Sequence, residues 1–270
     1  MIKARWILLL MVLSLVGCYD ETEGCLDPAA INFDVSADKD CCCEYPKLKL
    51  TVGYKENDST SFQKMHYFED LGDDVYKIES FAFFLSHLEV KGEPGIWVDV
   101  ADSTEYWVYD VLGMPEKAFV SNNAILVQNN VLKYDFGGFG DFGSFDSVRF
   151  KIGLDEQQQL IIPDSLPSEH VFGIGQDSMW VGPKEYLQQK WVIQTDTANY
   201  TVDTFSISGE ILPLDLGYTS AFFVAKGKDY NLELDVTIPT WLKGIDWQWD
   251  KAKILDTLRN NSKFAISLVQ

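Results

Sequence analysis

Apolar and polar residues alternate at a spacing of two through most of this chain. Leu48, Leu50, Val52 and Tyr54 are separated by Lys49, Thr51 and Gly53, and the pattern returns at 96–100, at 148–152 and over 230–238. Tyr230, Leu232, Leu234, Val236 and Ile238 there interleave with Asn231, Glu233, Asp235 and Thr237. A period of two places one set of side chains on a core and the other in water, so these runs predict antiparallel strands with one wet face. Further β-rich runs at 75–90, 106–111, 190–194, 200–211, 221–225 and 264–269 are punctuated by Gly, Pro, Asn and Asp. Many short strands so punctuated predict an all-β fold, an antiparallel β-sandwich spanning 47–270. One helix is expected, at 250–260, with Asp250 as N-cap and Ile254, Leu255 and Leu258 on one face. The Gly- and Phe-rich stretch 136–145 is expected to be a loop with aromatic anchors.

The N-terminus follows a different rule. Lys3 and Arg5 precede an apolar run that closes on Leu15-Val16-Gly17-Cys18. The run is shorter than the roughly 20 residues of a membrane-spanning helix and has the basic head and small-residue cleavage site of an export signal. Its end resembles the bacterial lipobox, which implies a lipoprotein signal peptide at 1–17 and acylation of Cys18. The expected location is the bacterial cell envelope, lipid-anchored, at an outer membrane facing periplasm or exterior. Export places the remaining cysteines in an oxidising compartment, where they read first as disulfides.

Residues 18–46 are expected to form a lipidated tether and a cysteine-rich module. The acidic stretch 19–24 has little to bury and is a spacer. Cys25-Leu26-Asp27-Pro28 at one end and Cys43-Glu44-Tyr45 at the other are similar to a short Cys-x-Asp-Pro module repeated in extracellular proteins of Bacteroidota. That resemblance implies pairing of Cys25 with Cys43. Cys41 and Cys42 depart from the module, and a second bridge, an intermolecular link and a thiolate metal site all remain open for them. Asp34, Asp38 and Asp40 lack the spacing of a calcium loop and read as a solvated acidic surface.

Without Lys3 and Arg5 the exported part carries 20 basic residues against 41 acidic, a net charge near −21. Such a surface repels nucleic acid and anionic headgroups, so nucleic acid is not an expected partner.

Four landmarks in order resemble the MbnP-like family of exported proteins. They are Tyr76-Lys77-Ile78-Glu79-Ser80-Phe81-Ala82-Phe83-Phe84-Leu85-Ser86-His87-Leu88-Glu89-Val90, Phe150-Lys151-Ile152-Gly153-Leu154-Asp155, Met179-Trp180 and Lys190-Trp191-Val192-Ile193. The resemblance implies a β-sandwich and an association with copper. Where the family often carries His-x-Gly, this chain reads Phe205-Ser206-Ile207-Ser208-Gly209, without histidine. The candidate metal ligands are His66, which follows Met65, together with His87 and Met179, since imidazole and thioether both suit copper. His87 falls on the same alternating face as Phe81, Phe83 and Leu85, which predicts a partly buried ring. His170, beside Pro167, Ser168 and Glu169, reads as part of an exposed loop.

The sequence shows no Gly-x-Ser-x-Gly elbow, His-Glu-x-x-His helix or dinucleotide glycine fingerprint, and the expectation is a binding protein, not an enzyme. Metal binding leads. The alternative is a surface adhesion, glycan-binding or structural lipoprotein without metal, for which Trp241, Trp247 and Trp249 are the candidates, although the alternate spacing of Trp247 and Trp249 favours a strand end packed on the core.

Overall fold

A computed structural model describes residues 20–57, 59–63, 66–100, 103–139, 141–173, 179–209 and 211–269, with backbone alone for 217–220. The signal segment 1–17, Cys18 and Met65 lie outside the described residues.

The main strands are β1 (Lys47–Asn57), β2 (Val75–Gly92), β3 (Ser103–Tyr109), β4 (Pro115–Ser121), β5 (Ala124–Gln128), β6 (Lys133–Gly138), β7 (Gly143–Ile152), β8 (Gln189–Asp196), β9 (Thr201–Ile207), β10 (Leu212–Val224), β11 (Tyr230–Thr237) and β12 (Ile266–Leu268). Among the described residues the one long helix, α1, is Lys251–Ser262. One sheet runs β9-β8-β2-β7-β10, and the other runs β6-β1-β11-β12. Pairing is antiparallel within both, except that β1 and β11 run parallel. The expected all-β sandwich is therefore observed, with one parallel pair inside it.

β2 is the spine. Along one edge it pairs first with β8 and then with β7, while β5 occupies the opposite edge. Its residues 81–86 are buried without interruption. The strand has no wet face there, because two cores cover it. Phe81, Phe83 and Leu85 face the main core against Leu48, Leu50 and Val52 of β1. Ala82 and Phe84 face a second core with Tyr106, Val108, Val120, Leu154, Phe172, Met179 and Tyr186. The hairpin β3–β4 and the chain after β7 supply this second cover.

The helix begins where expected, Asp250 accepting from the Lys253 N–H at 3.1 Å, and buries Ile254 and Leu258. It runs two residues further than the sequence pattern suggests. The stretch 136–145 is less of a loop than expected. Phe136 lies within β6, Phe145 within β7, and both are buried with Phe139.

In the N-terminal module Cys25 pairs with Cys43, and the neighbours Cys41 and Cys42 pair with each other. The Tyr45 hydroxyl donates to Asp27 Oδ2 at 3.0 Å, so the Asp-Pro start and the Glu-Tyr finish are tied by a side-chain bond as well as by the bridge.

Candidate functional site

The main core reads β2 in three phases. Tyr76 and Ile78 face it, then Phe81, Phe83 and Leu85, then Leu88 and Val90. Each change from even to odd positions, or back, needs one extra residue in the strand. Opposite the second change, Arg149 and Lys151 of β7 are two apart but face Glu89 and Ser86, which are three apart. The extra residue makes a β-bulge, and His87 within it has φ +52°, a left-handed conformation uncommon for a residue with a Cβ. His87 is thereby turned out of the core, and the expectation that it shares a face with Phe81, Phe83 and Leu85 is corrected.

Buried Asn123 holds the bulge. Its side chain accepts from the Leu88 N–H and donates to the Leu88 carbonyl, both at 3.0 Å, and donates to Asp99 Oδ1 at 2.7 Å. Its own carbonyl accepts from the His87 N–H at 3.1 Å.

The chain leaving β7 then delivers a carboxylate. Gly153 N–H donates to the Phe84 carbonyl at 2.8 Å, and Ser86 Oγ donates to the Gly153 carbonyl at 2.5 Å. Gly153 has φ +114°, and a Cβ there would lie 2.4 Å from Gln188 Oε1, which already accepts from the Leu154 N–H. Only glycine fits that crossing. Two residues later Asp155 Oδ2 lies 2.7 Å from His87 Nε2. Asp155 Oδ1 accepts from the Gln158 N–H at 2.7 Å, and the buried Gln158 amide bonds the Ser121 and Asn123 carbonyls. Serine, glutamines and asparagine thus lock the pair from behind.

Burial pushes the Asp155 carboxyl up, but its bond from His87 and those from the Gln158 and Gln157 amides outweigh this and hold it below the usual carboxylate range. A folded-state value below the unfolded one adds stability that is present above the unfolded value, near 4, and is lost as pH falls through the folded value. Asp155→Asn is therefore expected to be destabilising at pH 7, by about 1–3 kcal/mol for a charged hydrogen bond. The gap from the parent should narrow by pH 3. Urea unfolding of both proteins at the two pH values measures it, and a gap unchanged with pH would contradict this account.

Because an ionised carboxylate only accepts, His87 Nε2 donates to it and Nδ1 is the ring nitrogen left for another partner. No described group bonds Nδ1. Beside Asp155 opens a concavity of about 730 Å³ lined by Leu154, Asp155, Glu156, Gln157 and Gln159.

The other predicted ligands are placed elsewhere. His66 Nδ1 sits 2.8 Å from Glu56 Oε1, and the ring packs on Phe68. The following residue, Tyr67, pairs with Lys77 at the start of β2. His87 is ten residues further along that strand, roughly 30 Å at the rise of a β-strand. Met179 is buried in the second core, 2% exposed, and makes no open ligand. His170 lies in the expected loop, where Pro167, Ser168 and Glu169 are exposed, but its ring is half-buried, accepts from the Phe172 N–H at Nδ1, and stands 3.5 Å from the Tyr106 hydroxyl. Burial lowers its basicity. With Tyr106, Asn122, Gln128, Lys133 and Tyr134 it lines a larger cleft of about 920 Å³.

Among the described residues, one group of three His, Cys, Asp or Glu converges closely enough for a metal, Cys25, Asp40 and Cys43. Its two sulfurs are joined to each other and are not thiolates. The tryptophans proposed for sugar binding are core residues: Trp241 is fully buried, Trp247 is 7% exposed, and Trp249 packs against the same core.

Asp155, Asn123 and Gln158 were not among the predicted site residues. The signal for Asp155 was present in Ile152-Gly153-Leu154-Asp155, a glycine and an acid directly after a strand. The bulge that aims His87 at it shows in the sequence only as a change of phase, from Phe81, Phe83 and Leu85 to Leu88 and Val90.

No protein-family model matches the chain, and the search of curated proteins found no match. One solved structure, MbnP from Methylosinus trichosporium, is similar over 73% of this chain and 78% of its own, at 8% identity and a TM-score of 0.38. At that level no residue role passes from one protein to the other.

Proposed function

We propose that the chain is an exported cell-envelope lipoprotein, acylated at Cys18, whose β-sandwich is a metal-binding domain and not an enzyme, with copper as the leading ion and His87 as its protein ligand. The observation that carries this is the His87–Asp155 pair. A carboxylate fixing one imidazole nitrogen while the other is bonded by no described group is the arrangement that prepares a histidine for a metal. The residues meeting there, Ser86-His87-Leu88 and Gly153-Leu154-Asp155, belong to two of the landmarks that carry the sequence resemblance. His66 and Met179 do not fit the same site, so a single imidazole is the protein ligand expected there. Bound there, copper would be held for storage or transfer, and Asp155 would fix the ring by accepting from Nε2.

Cu(II) titration of the purified protein, followed by electron paramagnetic resonance, tests this. One equivalent with an imidazole-nitrogen signature is expected. His87→Ala should remove that signature, Asp155→Asn should weaken uptake by about 10–100-fold as loss of an outer-shell partner does, and His66→Ala should leave it unchanged. Uptake that survives His87→Ala would sink the reading and leave the Tyr106–His170 cleft as the recognition site of a protein without metal.

A further inference from the structure

The hairpin β3–β4 pairs with no other strand of the two main sheets and ends in a turn, residues 110–114, whose apolar side chains point into water. Val111 is 93% exposed, Leu112 83% and Met114 62%. On the outer face behind them stand Trp107 and Phe119, both exposed, and Lys117, which pairs across the strands with Trp107 and reaches over its ring at 5.7 Å. The other face of the hairpin, Tyr106, Val108 and Val120, is buried in the second core, so the root is fixed.

The turn is also closed in its own polar groups. Asp110 Oδ1 accepts from the Leu112 and Met114 amides at 2.8 and 2.7 Å. Asp110 N–H donates to the Met114 carbonyl, and Gly113 N–H to the Asp110 carbonyl. Pro115 follows and has no N–H. Of the donors from 110 to 115, the Val111 amide alone has no bond within the turn.

We propose that this tip is a second membrane contact, which inserts Val111, Leu112 and Met114 into the surface of a zwitterionic phospholipid leaflet. Four features single out a bilayer over a protein partner. The tip is convex, and a fluid leaflet needs no matching pocket. Four of the turn's five backbone donors are bonded within it, two of them to the Asp110 carboxylate, which lowers the cost of bringing the tip to an apolar phase. An aromatic ring with a lysine over it, one step behind an aliphatic tip, suits the headgroup level. The fourth is reach: the lipid attachment proposed at Cys18 lies two residues before the first described residue, which keeps a bilayer beside the folded body. Asp110 and Glu116 set the depth, since their carboxylates belong above the acyl region. The acidic surface of the chain opposes an anionic leaflet, so the neutral one is its occupant.

The inference rests on the lipoprotein reading for its membrane, and its test is independent of the acyl chain. The chain from Tyr19 onward, which contains every described element and no lipid, is mixed with vesicles of phosphatidylcholine and phosphatidylethanolamine. Co-sedimentation is expected, with fluorescence quenching by brominated acyl chains that is lost in Trp107→Phe. Leu112→Asp with Met114→Asp should cut partitioning at least tenfold without altering the circular dichroism spectrum, because both side chains are in water. Admixture of phosphatidylglycerol should weaken it. Absent co-sedimentation, or equal partitioning by the double variant, overturns the proposal, as does stable self-association through the tip in the absence of vesicles. Failure of the anchor reads separately, as a full-length chain that takes up no alkyne-palmitate at Cys18.

Discussion

Trp241→Ala is expected to lower stability by about 3–5 kcal/mol, in the range for truncating a fully buried large aromatic. The indole is 0% exposed, lies 4.8 Å from the Phe83 ring and 5.3 Å from that of Trp191, and donates from Nε1 to the Leu258 carbonyl at 3.1 Å. It therefore joins β2, β8 and α1 in one contact, and its loss removes packing from all three. It also removes the indole's bond to the helix carbonyl. Asn261 reinforces the same junction by donating to the Trp241 and Lys243 carbonyls. Denaturant unfolding followed by far-ultraviolet circular dichroism measures the change. A loss under 1 kcal/mol would mean that the helix is not packed as described.

The second large effect is expected at the bulge. Asn123→Ala removes the side chain that takes both backbone groups of Leu88, and Leu88 is fully buried. Its N–H is left without a partner inside the protein, and Asp99 loses a donor. About 2–4 kcal/mol follows from the desolvation cost of such groups. The change should also release His87 from its left-handed conformation, so a copper signal assigned to His87 should weaken with it. Asn123→Ala with full stability and full metal uptake would show that the bulge is held by something else.

Most of the strand positions were legible because a half-buried strand must alternate. β1 and β11 keep an uninterrupted period of two and were readable nearly to their ends. β5 was not, since Ala124-Ile125-Leu126-Val127 is buried on both faces and has no polar beat to read. The hairpin strand β4 was hidden for the opposite reason, its Glu116, Lys117 and Phe119 all lying in water. The copper candidates were legible as residue types and misleading as a set. Chemistry named His66, His87 and Met179, but their convergence depends on long-range pairing, and β2 carries the two histidines apart. The partner His87 has, Asp155, is 68 residues away in sequence. Loop tryptophans looked like a recognition surface because nothing local shows that α1 folds back over Trp241.

The phase changes along β2 have a meaning for how such a strand can vary. Between its two bulges every position is claimed by one core or the other, and a polar replacement there would be rejected on packing alone. A bulge residue belongs to neither side. It is a place where a side chain can change, within what a left-handed backbone tolerates, while the register on both flanks stays intact. His87 occupies one of these positions, so exchanging the imidazole costs its bond to Asp155 but not the packing of either core. The frame is thus separable from whatever chemistry is mounted on it, and a single residue on the spine strand is enough to change one without the other.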